Sequence, residues 1–128
     1  LRNIQVLPPA GGWGKVLGSF LDDHVAELRK WPERNLVLLI DFDELVESRT
    51  EHFDSQFPVD VRDRVFLLGT QSEPEPLSKQ CGDSLENLGK ALAIECYRDE
   101  TSLWNHSLLA HNAKERARLN VKVKSILF

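Results

Sequence analysis

The sequence predicts an α/β domain, with a mostly parallel sheet flanked by helices and a helical C-terminal portion. Residues 36–40 are a continuously apolar run of strand length, and residues 64–69 repeat this pattern after Arg64; such runs are typical of parallel strands buried on both faces. Residues 13–30 have helical periodicity, and from residue 83 onward most of the chain has it too. A chain of 128 residues has the usual length of one domain, so we predict a single domain over residues 1–128.

The first half of the chain predicts a strand–helix–strand unit. Residues 3–7 alternate and are ended by Pro8-Pro9, which predicts a short strand. Apolar residues then recur at helical spacing until Pro32 and predict a helix over residues 13–30. Residues 36–40 follow as an interior strand. Because the connections are short, we expect a right-handed crossover and parallel neighbouring strands.

The middle of the chain is mostly polar. Residues 44–63 contain few large apolar side chains, and Pro58 interrupts them, so we expect a mobile or partly helical connection; its apolar anchors are Leu45, Val46, Phe53, Phe57 and Val59. Residues 64–69 predict a third parallel strand, and the turn-prone residues 71–76 end it.

The last third of the chain is predicted to be helical. Asp83 and Glu86 have the spacing of a capping box at a helix start, and the apolar stripe that follows consists of Leu85, Leu88, Leu92 and Cys96. A second helix is expected to begin after Thr101 or Ser102 and to present Leu103, Trp104, Leu108 and Leu109. Residues 121–126 alternate like a strand but follow a helix-forming stretch, so both structures remain open.

Composition narrows the class of protein. Apolar residues make up 41% of the chain and charged residues 28%, as in ordinary globular proteins. No apolar run approaches the ~20 residues that cross a bilayer, and no signal segment opens the sequence, so we expect a cytoplasmic protein with no membrane partner and reduced Cys81 and Cys96. The sequence opens on a strand-like segment without methionine, which suggests a truncated N-terminus.

Positive charge is concentrated near the C-terminus, although the net charge is −4. Residues 114–128 contain five basic residues and only one acid. This stretch is either a solvated helix face or a contact with a phosphate backbone.

Asp41 and Asp43 come directly after the predicted central strand. Ligands of open α/β sheets bind at the carboxyl ends of such strands. Side chains two apart in a strand point to the same side, so both carboxylates are expected there while Phe42 enters the core. Two adjacent carboxylates repel each other, and a hard cation such as Mg²⁺ or Mn²⁺ relieves the repulsion. The alternative is that one aspartate caps the next segment and the other is solvated.

A glycine-rich loop opens the first predicted helix. Gly11, Gly12 and Lys15 would place backbone N–H groups and one ammonium where an anion could bind, which makes them candidate phosphate or substrate ligands; a tight strand-to-helix turn is the alternative. Trp13 is expected to be a core anchor. The four histidines lack zinc-ligand spacing, and only His52, close after the acidic pair, is a functional candidate.

These motifs together resemble the Toprim domains of topoisomerases, primases and the overcoming-lysogenisation-defect nucleases. The resemblance covers residues 3–77. It implies that Asp41 and Asp43 bind Mg²⁺ and serve catalysis on nucleic-acid phosphodiesters, and that Glu73 and Glu75 help to hold a second metal. The family also has a glutamate on a strand upstream of the glycine loop, whereas here nothing acidic precedes Asp22. This implies either a lost strand or a degenerate, non-catalytic domain.

The same strand end also resembles the first motif of haloacid dehalogenase phosphatases. In that family the first aspartate is the nucleophile, the second is the acid/base, and the next strand ends in Ser or Thr, as residues 66–70 do. The later Asp-Asp metal motif of that family has no counterpart here. We therefore keep three hypotheses: a metal-dependent nuclease-like Toprim domain, a non-catalytic interaction or scaffold domain, and a phosphatase of the haloacid dehalogenase type. Oligomeric state does not follow from the sequence.

Overall fold

The computed structural model describes Gln5 and residues 7–127, with the backbone alone for residues 123–127. The helices are α1 (Trp13–Ser19), α2 (Val25–Lys30), α3 (Val46–Gln56), α4 (Pro74–Cys81), α5 (Leu85–Arg98) and α6 (Ala113–Leu127). The strands are β1 (Leu36–Asp41) and β2 (Val65–Thr70). A π-helical segment, Phe20–His24, joins α1 to α2, and short 3₁₀ turns, Arg62–Arg64 and Ala110–Asn112, precede β2 and α6.

The two strands form a parallel sheet, as predicted, in which Leu36 pairs with Val65 and Asp41 with Thr70. The predicted strand over residues 3–7 lies outside the described residues, apart from Gln5 and Leu7, which have no regular structure. Within the described part of the chain, the sheet therefore has two strands. The mixed α/β class is confirmed.

The main core lies between one face of the sheet and helices α1 to α3. Its buried side chains come from these three helices, both strands, the π-helical segment and the loops that follow β1 and precede β2: Leu17, Phe20, Val25, Leu28, Leu38, Ile40, Phe42, Phe53, Phe57, Val61, Val65 and Leu67. A smaller cluster of Leu77, Leu88 and Leu109 joins α4 and α5 to the turn before α6. The predicted helix over residues 13–30 is confirmed, with the π-helical segment in its middle.

Burial along β1 corrects the expectation of a strand covered on both faces. Leu38 and Ile40 are buried, but Val37 is 39% exposed and Leu39 is 69% exposed. β2 meets the expectation, because all four residues from Val65 to Leu68 are buried. The continuous apolar run correctly indicated a strand at β1 and wrongly indicated two covered faces.

The connection between the strands is more ordered than the sequence suggested. Residues 46–56 form the regular helix α3, which buries Phe53 against the sheet. Val59, expected to be an anchor, is 84% exposed, and Val61 is completely buried in its place. The partly helical alternative is therefore correct, and the extent of the helix was not predicted because its sequence is polar on nearly every face.

The start of α5 and the residues after it need two further corrections. The N-cap is Ser84, whose Oγ accepts the N–H of Asn87 at 3.2 Å, and not Asp83; Leu85 is exposed. Residues 101–109 form turns and not a helix. The buried carboxylate of Glu95 accepts the N–H groups of Leu103 and Trp104 and thereby satisfies the backbone of these turns. Residues 121–126 belong to α6, so the helical alternative is correct there.

Candidate functional site

The two aspartates lie at the carboxyl end of β1 in a tight acidic turn, residues 41–44. β1 ends at Asp41, and the buried Phe42 donates its N–H to the carbonyl of Thr70 at 3.0 Å. Asp43 and Glu44 both have left-handed backbone conformations, with φ of 52° and 63°. Non-glycine residues rarely adopt this conformation, so two in succession store backbone strain.

The structure confirms the location of Asp41 and Asp43 but changes the reason for it. Because the strand ends at Asp41, strand alternation does not orient Asp43. The turn does so instead: the Asp43 N–H donates to Asp41 Oδ1 at 3.1 Å, and the Glu44 N–H donates to the carbonyl of Gln71 at 2.6 Å. One Asp41 oxygen thus caps a backbone N–H, as the alternative interpretation held, while the Asp43 side chain remains 53% exposed.

Arg49, on α3, is the cation next to this turn. Its Nη2 lies 3.8 Å from Asp43 Oδ2, which is too long for a hydrogen bond. Its guanidinium lies over the Trp13 ring, 4.3 Å from the centroid, and its side chain is only 18% exposed. The buried Nε has no hydrogen-bond partner within the described residues. Arg49 was not predicted, because only the fold brings residue 49 beside residues 13 and 43.

Trp13 connects the glycine loop to the acidic turn. Besides supporting Arg49, its ring packs edge-on against His52 at 5.5 Å between ring centroids and lies 6.2 Å from Phe53. Trp13 is partly buried against the main core, as expected of an anchor. His52, the one histidine that the sequence singled out, is exposed and lies beside this ring.

The glycine loop forms a tight entry to α1. Gly11 has a φ of 122°, and a Cβ there would lie 2.7 Å from Lys15 Cδ, so the lysine stem lies against this glycine. Gly12 is the N-cap, and its carbonyl accepts the N–H groups of Lys15 and Val16. Lys15 itself is exposed. These features agree with the interpretation of the loop as a tight strand-to-helix turn. The loop also leads into Trp13, whose ring contacts Arg49, and Arg49 in turn lies near Asp43.

Glu73 and Glu75 are exposed at the start of α4, the helix that follows β2. Glu73 is the N-cap and Glu75 lies in the first turn. Among the described residues, no group of three or more His, Cys, Asp or Glu side chains is arranged to hold a metal ion, so these glutamates do not join Asp41 and Asp43 in such a group.

His111 lies behind the acidic turn. Its ring packs edge-on against Phe42 with centroids 5.0 Å apart. Burial lowers the pKa of His111, and the nearby Gly69 backbone opposes this effect only partly. Cys81 and Cys96 are free thiols, and burial raises the pKa of Cys96.

Two basic residues of the C-terminal region, Arg118 and Lys122, form polar contacts within the chain. Arg118 bonds to Glu115 and to the carbonyls of Val65 and Asp63, and Lys122 Nζ lies 3.4 Å from Asp63 Oδ2. This arrangement favours a structural role over a phosphate-backbone contact for these two residues.

No protein-family model, curated protein or solved structure matches this chain. Within the described residues, no helix combines the length and apolar character needed to span a membrane. The site must therefore be interpreted from its own geometry.

Proposed function

We propose that this chain is a Toprim-like domain that acts on nucleic-acid phosphodiesters with Mg²⁺ or Mn²⁺ held by Asp41 and Asp43. The observation that carries the proposal is the strained acidic turn, in which Asp43 and Glu44 are both left-handed at the carboxyl end of a parallel strand. Strain of this kind persists only where the surrounding structure holds it, and it clusters at ligand sites.

The available oxygen donors fit magnesium. Mg²⁺ commonly keeps several water ligands and binds through one or two carboxylates together with substrate phosphates, so Asp41 and Asp43 are a sufficient protein contribution. When bound, the metal would stabilise negative charge on a reacting phosphate. Glu73 and Glu75 remain candidates for a second metal, and Gly11, Gly12 and Lys15 for contact with the substrate. Asp41 and Asp43 themselves hold the metal in this proposal.

Cleavage assays test the proposal directly. We expect end-labelled DNA or RNA to be cut in the presence of Mg²⁺ or Mn²⁺ and not in EDTA. The double variant Asp41→Asn/Asp43→Asn should be inactive, while the matched control Asp22→Asn/Asp23→Asn, which neutralises two exposed acids elsewhere, should retain the parent rate. Equal cleavage by parent and Asp41→Asn/Asp43→Asn would reject the proposed site.

A phosphatase of the haloacid dehalogenase type is a second candidate, and one observation favours it. The strand register places Thr70 directly beside Asp41, at the end of the neighbouring strand. Synthetic esters distinguish the two reactions: a nuclease hydrolyses bis(p-nitrophenyl) phosphate, a diester, in preference to p-nitrophenyl phosphate, whereas a phosphatase prefers the monoester.

The exposed apolar face of β1 favours the third candidate, a non-catalytic interaction domain. Leu39 is 69% exposed beside the partly exposed Val37. If the parent chain cleaves neither nucleic acid nor the synthetic esters under any metal condition, this interpretation replaces the catalytic ones.

A further inference from the structure

We propose that Arg49 is the phosphate-binding residue of the acidic site, taking a nonbridging oxygen of a nucleic-acid backbone phosphate. This inference rests on the proposed function, because it assigns the substrate contact at the same site. It concerns a side chain that no sequence motif marks.

The Arg49 guanidinium is confined by its surroundings. The Trp13 ring lies 4.3 Å beneath it, and only 18% of the side chain is exposed. A side chain already confined in this way loses little conformational entropy when a ligand binds. The position therefore suits recognition of an anion.

The side-chain donors of Arg49 make no hydrogen bond within the described part of the chain. A charge-assisted N–H···O bond is about 2.7–2.9 Å long, but Arg49 Nη2 lies 3.8 Å from Asp43 Oδ2. Its Nε also has no partner within the described residues, but this atom is buried, so contact with a ligand falls to the two Nη atoms. A planar fork of donors with this little protein bonding matches the oxygens of a phosphate, which guanidinium groups bind bidentately.

The charges around Arg49 are mostly negative. Asp41, Asp43 and Glu44 would repel a phosphate from this turn as long as they remain unneutralised. A divalent cation on the two aspartates removes that repulsion, and Arg49 then supplies a second positive charge beside the first. We therefore expect phosphate binding at Arg49 to depend on the metal.

Binding of a nuclease-resistant phosphorothioate oligonucleotide, followed by fluorescence anisotropy in Mg²⁺, tests the inference. Arg49→Gln should weaken binding by about tenfold, as for the loss of one charged contact. The control is Arg34→Gln, because Arg34 also lies near a tryptophan and an acid, 6.0 Å from the Trp31 centroid and 3.5 Å from Glu27, but is half exposed away from the acidic turn. The control should bind like the parent.

Circular dichroism shows whether Arg49→Gln folds. If Arg49→Gln does not fold, the binding measurement is made on Arg49→Lys, which keeps the positive charge and the aliphatic part of the side chain but loses the planar set of guanidinium donors. A loss of affinity in the folded Arg49→Lys variant supports the inference. Parent-like affinity in the deciding variant overturns it.

The metal-induced shift in melting temperature separates this inference from the proposed function. We expect Arg49→Gln to keep the Mg²⁺-induced shift. Loss of that shift in Arg49→Gln would overturn the inference, because Arg49 would then be part of the metal site. A parent chain without any metal response would instead refute the proposed function.

Discussion

Two arginines lie against aromatic rings on either side of the sheet, and their surroundings differ. Arg118, on α6, lies 4.2 Å from the Phe66 centroid, and Arg49 lies 4.3 Å from that of Trp13. Arg118 donates to both oxygens of Glu115 at 3.0 Å and to the carbonyl of Val65 at 2.5 Å. Arg49 Nη2, in contrast, lies 3.8 Å from Asp43 Oδ2, which is too long for a hydrogen bond.

The region around Arg118 closes the outer edge of β2. There, side chains bond to backbone groups that a neighbouring strand would otherwise pair: Glu115 Oε2 accepts the Leu67 N–H at 2.9 Å, and the Asn112 amide bonds to both the N–H and the carbonyl of Gly69. We call Asn112, Glu115 and Arg118 the edge cluster. Its polar groups bond to the backbone of β2 and to one another, whereas in the acidic turn Asp41 Oδ1 accepts one backbone N–H and the Asp43 side chain is 53% exposed. Similar ring contacts therefore occur at an arginine whose donors are bonded within the protein and at one whose side-chain donors have no hydrogen bond among the described residues.

The largest expected effect is at Asn112, the most buried member of the edge cluster, with 2% exposure. Asn112→Ala leaves both backbone groups of Gly69 without their partner. We expect unfolding free energy to fall by about 3 kcal/mol, because each buried unsatisfied group costs about 1–3 kcal/mol. Urea denaturation measures the change, and a loss below about 0.5 kcal/mol, the scale of an ordinary surface substitution, would show that the amide does not hold this edge.

Substitution of the two arginines should lower the free energy of unfolding by different amounts. Arg118→Gln removes donors from Glu115 and from the Val65 carbonyl, so we expect a loss of about 2 kcal/mol. Arg49→Gln breaks no hydrogen bond within the described residues and mainly loses its contact with Trp13, for which about 0.5–1 kcal/mol is typical. Denaturation of both variants side by side checks the order, and an Arg49 variant as destabilised as the Arg118 variant would remove the contrast between the two regions.

The smallest expected effect is the pH dependence from His111, between the acidic turn and the β2 edge. Burial lowers its pKa, so the folded state favours the neutral ring. The unfolded chain takes up the proton near the ordinary value of about 6.5. Stability contributed by the neutral ring is therefore present above pH ~6.5 and decreases as the pH falls below it. His111→Phe, which keeps an aromatic ring against Phe42, should show a shallower decrease in melting temperature; an unchanged pH profile would contradict this assignment.

Elements whose buried apolar side chains form a clear run or a regular spacing in the sequence could be predicted. Residues 13–30 and both strands were assigned correctly because they bury a regular set of apolar side chains. The extent of α3, expected only as a mobile or partly helical connection, was not predictable because Phe53 is the one buried residue of this helix. The false helix after Thr101 came from Leu103 and Leu108, which pack against the smaller core from within turns.

The candidate site was predictable in location and not in geometry. Asp41 and Asp43 could be placed at a strand end because strand ends are visible in the sequence. Their left-handed turn depends on hydrogen bonds to Thr70 and Gln71, which come from the neighbouring strand and the residue after it. Arg49 lies near the turn because it packs on Trp13 in the folded chain. Such a tertiary contact cannot be predicted from the local sequence around residue 49.

The most direct test of the central claim is a thermal melt with and without Mg²⁺. A ligand that binds only the native state stabilises it by RT ln(1 + [L]/Kd), about 2.7 kcal/mol at a hundredfold excess over Kd. We expect this stabilisation in the parent and in Asp22→Asn/Asp23→Asn, and none in Asp41→Asn/Asp43→Asn. The metal-free form of Asp41→Asn/Asp43→Asn should be at least as stable as the metal-free parent, because two neighbouring charges are neutralised. Equal metal-induced shifts in all three proteins would show that the acidic turn is not the metal site.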